Sequence, residues 1–308
     1  MNVVSLFSGA GGLDLGLIQA GNRIIWANDI DHDDVATYRL NIGNHIIESD
    51  ILKINYDDIP YADVVIGGFP CQGFSVANMR RTIDDERNIL YRAFYNTILH
   101  KQPKFFIAEN VKGILSLGGG AIMKQIVSDF SDAGYIVEVH KVNMANYGVP
   151  QHRERVLFIG QRKDIGEEMI FHFPAPTHSK TGNELPAWVS IKDAIYHIPE
   201  CKNDPNSNGS SYKFVSRDFT GHRTTDPNKP SPTILARGNG KGGVCAIPHY
   251  NGERRLTIRE SAIVQTFPRK FVFVGCMGSC YRQIGNAVPV LFARLLGEEL
   301  IRIEHSWM

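Results

Sequence analysis

The sequence predicts an α/β fold: a doubly wound, mostly parallel sheet with a second, smaller and irregular domain. Three observations predict it. Short β-rich runs alternate with helical patterns up to about residue 160. Polar and reactive residues collect just beyond those runs. After about residue 163 the texture changes to loops and short strands.

The first expected strand is Val3–Phe7, an apolar run that ends in the glycine-rich loop Ser8-Gly9-Ala10-Gly11-Gly12. A helix over Leu13–Ala20 follows and is closed by Gly21. Further strands are expected at Ile24–Ala27, His45–Ile47, Val64–Ile66, Phe105–Ala108, Val137–Val142 and Val156–Ile159. Between them lie helical patterns at Leu90–Lys101, stopped by Pro103, and Ile122–Ala133, closed by Gly134. Residues 174–250 are rich in Pro, Gly, Asn, Ser and Thr, yet Trp188, Phe214, Phe219 and Ile234 recur through them, which predicts a folded region. Val288–Ile303 is helical again: Pro289 suits a first turn, and Val288, Leu291, Leu295 and Leu296 share a face. The expected division is 1–163 for a catalytic and cofactor-binding domain, 164–275 for a recognition domain, and 276–308 for a segment returning to the first.

With 308 residues and 43% hydrophobic content, the chain can bury a large core. Its formal net charge is only +1, but residues 209–260 hold nine Lys/Arg against four Asp/Glu, while the remainder has 24 against 28. A basic segment on a slightly acidic body fits a polyanionic partner, and a solvated loop surface fits it equally well. No secretory leader or membrane-length apolar run is visible. The five cysteines (71, 201, 245, 276, 280) are odd in number and scattered, predicting free thiols in a reducing cytosol. Cys276 and Cys280 have half the spacing of a zinc site but no second pair, so no metal is expected.

Reading beyond each strand gives the glycine loop, then Asp29, Asp50, Cys71 and Glu109. In an open parallel sheet these ends form one cleft. Asp29 follows Gly9 by 20 residues, a spacing suited to ribose hydroxyls, so a nucleoside ligand is expected. Asp14 stands where a dinucleotide fingerprint wants glycine. An anion in the first helical turn opposes a pyrophosphate but not a cationic nucleoside such as S-adenosylmethionine. Cys71 is read either as an exposed thiol at a strand end or as a small buried hydrophobe. Glu109, on the neighbouring strand, is either a helix-start carboxylate or an acid facing that thiol. Arg153 and Arg155, two apart beside a strand, project to one face, as a surface salt-bridge pair or as cations for the same cleft. Together on one sheet edge they supply a nucleophile, an acid and two cations.

The blocks "LFSGAGGLDLG", "GFPCQGFS", "ENVKG", "QHRERVLFIG", "RLTIRESAIVQTFP" and "QIGNAVPV" resemble, in order and over positions 6 to 290, the cytosine-C5 DNA methyltransferase family. The resemblance implies that Cys71 adds to cytosine C6, that Glu109 holds or protonates N3, and that Arg155 and Arg153 steady the base carbonyl and its surroundings. It implies S-adenosylmethionine as cofactor. Phe7, Ser8, Gly9, Gly11 and Gly12 would lie along its methionine and adenine, Asp29 on its ribose and Ile30 on its purine. Asp50 and Ile51 would meet the adenine edge, with Pro70 and Asn286 closing the wall.

A target carbon inside a duplex is unreachable, so the resemblance also implies base flipping. Residues 72–89 match the family's mobile loop, where Gln72, Ser75, Arg80 and Arg81 would touch double-stranded DNA. Thr233, Arg237 and Lys241 are the recognition-domain candidates. A monomer in the bacterial cytoplasm, at the nucleoid, accompanied by a cognate restriction endonuclease, completes the implied picture. One rival is a tRNA cytosine-C5 methyltransferase, whose usual Cys-Phe-Thr signature is not found. Another is an inactive DNA-binding relative, opposed by the intact Cys71, Glu109, Arg153 and Arg155. A nicotinamide oxidoreductase is opposed by Asp14.

Overall fold

The computed structural model describes residues 1–70, 89–166, 169–198, 225–236, 247–252 and 254–306. Seven strands form one sheet: β1 (Asn2–Leu6), β2 (Arg23–Asp29), β3 (Ile46–Glu48), β4 (Val64–Gly67), β5 (Phe105–Val111), β6 (Tyr135–Asn143) and β7 (Glu154–Arg162). Their spatial order is β3-β2-β1-β4-β5-β7-β6. Pairings among β1 to β5 are parallel, and β7 runs antiparallel to both of its neighbours. The sheet is therefore the mostly parallel one expected from the sequence.

Alternation along the strands divides the core between two faces. Val3, Ile24, Val64, Ile66, Phe105 and Ile107 pack on one side. Val4, Leu6, Trp26, Val65, Phe106 and Phe158 pack on the other. The first side is covered by α1 (Gly12–Gln19), α2 (His32–Asn41) and α8 (Val290–Ser306). The second is covered by α3 (Ile89–Lys101) and α4 (Ala121–Asp132). Gly16 leaves α1 no room for a β-carbon against Ala293 of α8, so the two helices approach closely. The Met1 amino group pairs with Glu304 at 2.7 Å, and Asn22 Nδ2 donates to the Gly297 carbonyl at 3.0 Å.

No helix over 32–41 is expected from the sequence, yet α2 forms there. The pattern is weak because the helix opens with His32, Asp33 and Asp34, and its fully buried apolar side chains are Val35 and Tyr38. The physical signal is Asp31, whose carboxylate caps the helix by accepting from the amides of Asp33 and Asp34. Three short helices, α5 (Ile191–Ile195), α6 (Ile258–Val264) and α7 (Met277–Asn286), share a third apolar cluster with Phe267, Phe271 and Phe273. Thr257 and Glu260 form a reciprocal capping box on α6.

Candidate active site

Strand order reverses between β1 and β4, so the loops leaving these strands diverge and open a crevice at their carboxyl ends. A cavity of about 820 Å³ lies there. One wall comes from the ends of β1, β2 and β3. Phe7 holds a left-handed backbone (φ 55°), uncommon for a non-glycine residue and frequent at ligand sites. Ser8 and Gly9 follow it along the cavity, and Gly12 lines it further on. Asp29 accepts from the Gly9 amide at 2.8 Å and the Asp31 amide at 2.9 Å, one bond per oxygen. Each oxygen keeps a lone pair for a ligand hydroxyl. Burial raises the Asp29 carboxyl above its usual range, and these amides oppose the rise. Ile30 is 66% exposed and lines the cavity, an apolar surface available to a flat ring. Asp50 accepts from the Leu52 amide at 3.1 Å, and Ile51 is buried beside it.

Two expectations for this wall are revised. Gly11 is not part of the lining: with φ 83°, the space a β-carbon would take is filled by Tyr38 and Ile42. The carboxyl of Asp14 is fully buried, accepting from Ser5 Oγ at 3.0 Å and Tyr38 OH at 2.9 Å. Burial pushes it up to about 6. Its opposition to a pyrophosphate therefore comes from a carboxyl already engaged by two hydroxyls.

The opposite wall comes from β4, β5 and β7. Glu109 faces Leu157 across the antiparallel pair, so Arg155, two residues earlier on β7, is its diagonal neighbour on the same face. Arg155 Nε lies 2.8 Å from Glu109 Oε1, an ion pair without the directed geometry of a hydrogen bond. Both groups line the cavity and are largely buried. Glu109 Oε2 lies next to Gly68, where an added β-carbon would be 3.4 Å away. Asn110 Nδ2 donates to the Phe69 carbonyl at 2.9 Å, and the Phe69 ring packs on Tyr91 and Phe94. Sequence neighbours on β5 thus present an acid to the cavity and pin the loop leaving β4. Pro70, the last residue described there, also lines the cavity.

Arg153 lines the cavity too, but its guanidinium joins three segments. It donates to the carbonyls of Ile234 (3.2 Å), Gly285 (3.0 Å) and Ala287 (3.0 Å) and is 1% exposed. Burial and the neighbouring Arg155 charge pull it down to about 9, while Glu109 opposes that shift. Gln151 and Gln265, which the sequence reading did not single out, extend the joint. Gln151 Nε2 donates to Gln265 Oε1 at 2.9 Å, and Gln265 Nε2 donates to the Ile284 carbonyl at 2.7 Å. Residues 231–236 run along 150–153: the Ser231 amide donates to the Pro150 carbonyl, the His152 amide donates to the Ser231 carbonyl, and Thr233 Oγ1 donates to the His152 carbonyl. Asn286 is exposed at the cavity rim.

Cys71, Gln72, Ser75, Arg80, Arg81, Arg237 and Lys241 lie outside the described residues. The basic character of 209–260 is also reduced in part. Arg254, Arg255 and Arg259 are buried: Arg254 pairs with Glu260 at 2.8 Å, Arg255 lies over the Tyr281 ring, and Arg259 donates to the Phe271 carbonyl. Cys280 is a structural thiol, buried against backbone carbonyls and pushed up to about 11 by that burial. No metal-holding group of His, Cys, Asp or Glu occurs among the described residues, and among them no helix is long and apolar enough to cross a membrane.

A crevice that is acidic on one side and carries a carboxylate–guanidinium pair on the other has groups suited to acid–base chemistry and to the recognition of hydroxyls and cations. The model of the C-5 cytosine-specific DNA methylase family matches residues 1–302, and the chain belongs to that family. It is 40% identical to the Type II methyltransferase M.NgoFVII of Neisseria gonorrhoeae, over 93% of this chain and 83% of that one. It is 38% identical to M.BspRI of Lysinibacillus sphaericus, over 100% and 83%. Among solved structures, a putative DNA modification methyltransferase of an Escherichia coli prophage superposes with a TM-score of 0.74 at 27% identity, covering 99% of both chains. The S. pombe Dnmt2 methyltransferase shares the fold, with a TM-score of 0.68 at 19% identity over 98% and 97%. The activity is that of a DNA cytosine-C5 methyltransferase.

Proposed function

We propose that the cavity takes S-adenosylmethionine along the ends of β1, β2 and β3, and a cytosine flipped from duplex DNA against Glu109 and Arg155, with Cys71 as nucleophile. The observation that carries this reading is the Glu109–Arg155 pair on the same cavity as the Asp29–Gly9 contact. The residues present fit the cofactor: Asp29 keeps acceptor capacity for ribose, Ile30 offers an apolar face, and the acidic wall tolerates a cation. Bound there, S-adenosylmethionine supplies an electrophilic methyl group.

Cys71 thiolate adds to C6, making C5 nucleophilic. Glu109 holds or protonates N3 as negative charge moves into the ring, and Arg155 keeps Glu109 oriented and steadies the base carbonyl. Loss of the C5 proton and of the thiol restores the ring. Arg153 positions this apparatus by fixing 234 and 285–287. Within 164–275, Thr233, Arg237 and Lys241 contact DNA, as do Gln72, Ser75, Arg80 and Arg81 on the loop beyond Pro70. The names of the relatives, Type II methyltransferases, support a role as the modification partner of a restriction endonuclease. A monomer working in the cytoplasm at the nucleoid is the form proposed with that role.

Incubation with S-adenosylmethionine and duplex DNA carrying 5-fluorocytosine at the target should trap a covalent complex at Cys71, since after methylation C5 bears fluorine in place of the proton whose loss would release the thiol. Cys71→Ser should abolish both adduct and turnover while sparing DNA binding. Methylation by that variant would refute the nucleophile assignment. Labelled methyl transfer to tRNA rather than duplex DNA would refute the substrate.

A further inference from the structure

Asp34 lies in the first turn of α2, which is capped by Asp31. Its side chain is 5% exposed and lines the cavity beside the glycine loop. The atom nearest to a β-carbon added at Gly9 is Asp34 Oδ1, at 3.9 Å. That oxygen is buried and receives no hydrogen bond. Its charged surroundings are mostly anionic. Asp29 at the end of β2, with Asp31 and Asp33 on α2, all raise its carboxyl, after burial itself, to about 8. The cation that opposes them is Arg282 of α7, whose Nη2 is bound to Asp31 Oδ2 at 2.7 Å. A buried carboxylate facing a cavity without a donor is unsatisfied until a ligand supplies one.

We infer that Asp34 is a cofactor-binding residue: its free Oδ1 accepts a hydrogen bond from the α-ammonium group of the cofactor's methionine end. The inference rests on the S-adenosylmethionine reading above and assigns the residue that reads that end. Of the two cations in such a ligand, the sulfonium has no proton to donate, whereas the ammonium donates three. The surrounding carboxylates favour the ammonium over the α-carboxylate of the same end at this position. Asp29, held by the Gly9 amide, sits beside Asp34, so ribose and amino-acid recognition are adjacent.

The test is isothermal titration of the wild type and Asp34→Asn with two probes. S-adenosylhomocysteine keeps the α-ammonium, whereas 5′-methylthioadenosine lacks the amino-acid end. The variant should bind the first about 10- to 100-fold more weakly, the worth of one charge-assisted hydrogen bond, and the second unchanged. Wild-type affinity for S-adenosylhomocysteine should also rise relative to the variant as the pH passes from 7 to 9, because Asp34 must ionise to accept fully. Equal affinity of both proteins for both probes overturns the inference while leaving the cofactor reading intact. Equal weakening of both probes also overturns it, marking Asp34 as structural. Failure of the wild type to bind either probe refutes the cofactor reading itself.

Discussion

Replacing Arg153 with Met should cost about 3 kcal/mol of folding stability, with no substrate present. The side chain is 1% exposed and makes three hydrogen bonds, at 3.2, 3.0 and 3.0 Å, to carbonyls of Ile234, Gly285 and Ala287. Losing a hydrogen bond to a charged group costs roughly 1.5–3 kcal/mol. The three do not add, because one guanidinium makes them all, and removing it relieves repulsion from Arg155. Methionine fills most of the vacated length, limiting the cavity penalty. With a urea m-value of about 3 kcal/mol/M, the midpoint should fall by about 1 M. Urea denaturation followed by tryptophan fluorescence measures it. A variant whose midpoint stays within about 0.2 M of wild type, while turnover collapses, would show that Arg153 acts on the substrate and does not hold segments together.

Glu109→Gln should lower the single-turnover rate by about 10²–10⁴-fold, the range for a lost general acid; an unchanged rate would remove Glu109 from the chemistry. Gly285→Ala would place a methyl 2.5 Å from the Leu235 carbonyl carbon and the Ala236 nitrogen, both backbone atoms, and should destabilise by about 1–3 kcal/mol. A wild-type melting temperature would show that 235–236 yields freely. Asp14 carries a carboxyl raised from 3.8 to about 6, so its contribution to stability is complete below about pH 4 and lost as the pH rises through 6. By linkage that loss is roughly 3 kcal/mol. The stability difference between wild type and Asp14→Asn should therefore slope downward between pH 4 and 6, and two parallel curves in that window would refute the shift.

Much of the fold was legible because parallel strands buried on both faces read as apolar runs. Each of the seven expected strands overlaps an observed one. The helix over His32–Asn41 escaped because its acidic opening masks a short apolar stripe. No helix over Ile258–Val264 was expected either, although its capping box stood in the sequence as Thr-x-x-Glu at 257–260. Charge counting misjudged Arg254, Arg255 and Arg259, since a sum over a segment cannot tell a buried, paired guanidinium from a solvated one. At the site, Glu109 and Arg155 were each legible as residues of the cleft edge, but their pairing was not, because it depends on β5 lying antiparallel to β7. Asp34 and the bracing role of Arg153 were not legible either: Arg153 bonds 234 and 285–287, far away along the chain, and Asp34 is defined by its burial beside Gly9 and the charge of Arg282.

Those distant residues explain how two walls with different tasks keep a fixed distance. The acidic wall hangs from β1 and β2, and the Glu109–Arg155 wall from β5 and β7, with β4 between them. A short stretch of the returning chain touches both. Arg282 pairs with Asp31, and Gln283 accepts from Thr37 at 2.7 Å, on the acidic side. Gly285 and Ala287 receive the Arg153 bonds on the other. The Val288 carbonyl packs so closely on Gly12 that an added β-carbon there would be 2.5 Å away. Methyl transfer requires donor and acceptor carbons within a few tenths of an ångström of reacting geometry, and two loops on separate strands would not hold that alone. A rigid span anchored at both walls does, which is why glycine, with no side chain to prop the segments apart, stands at both 12 and 285.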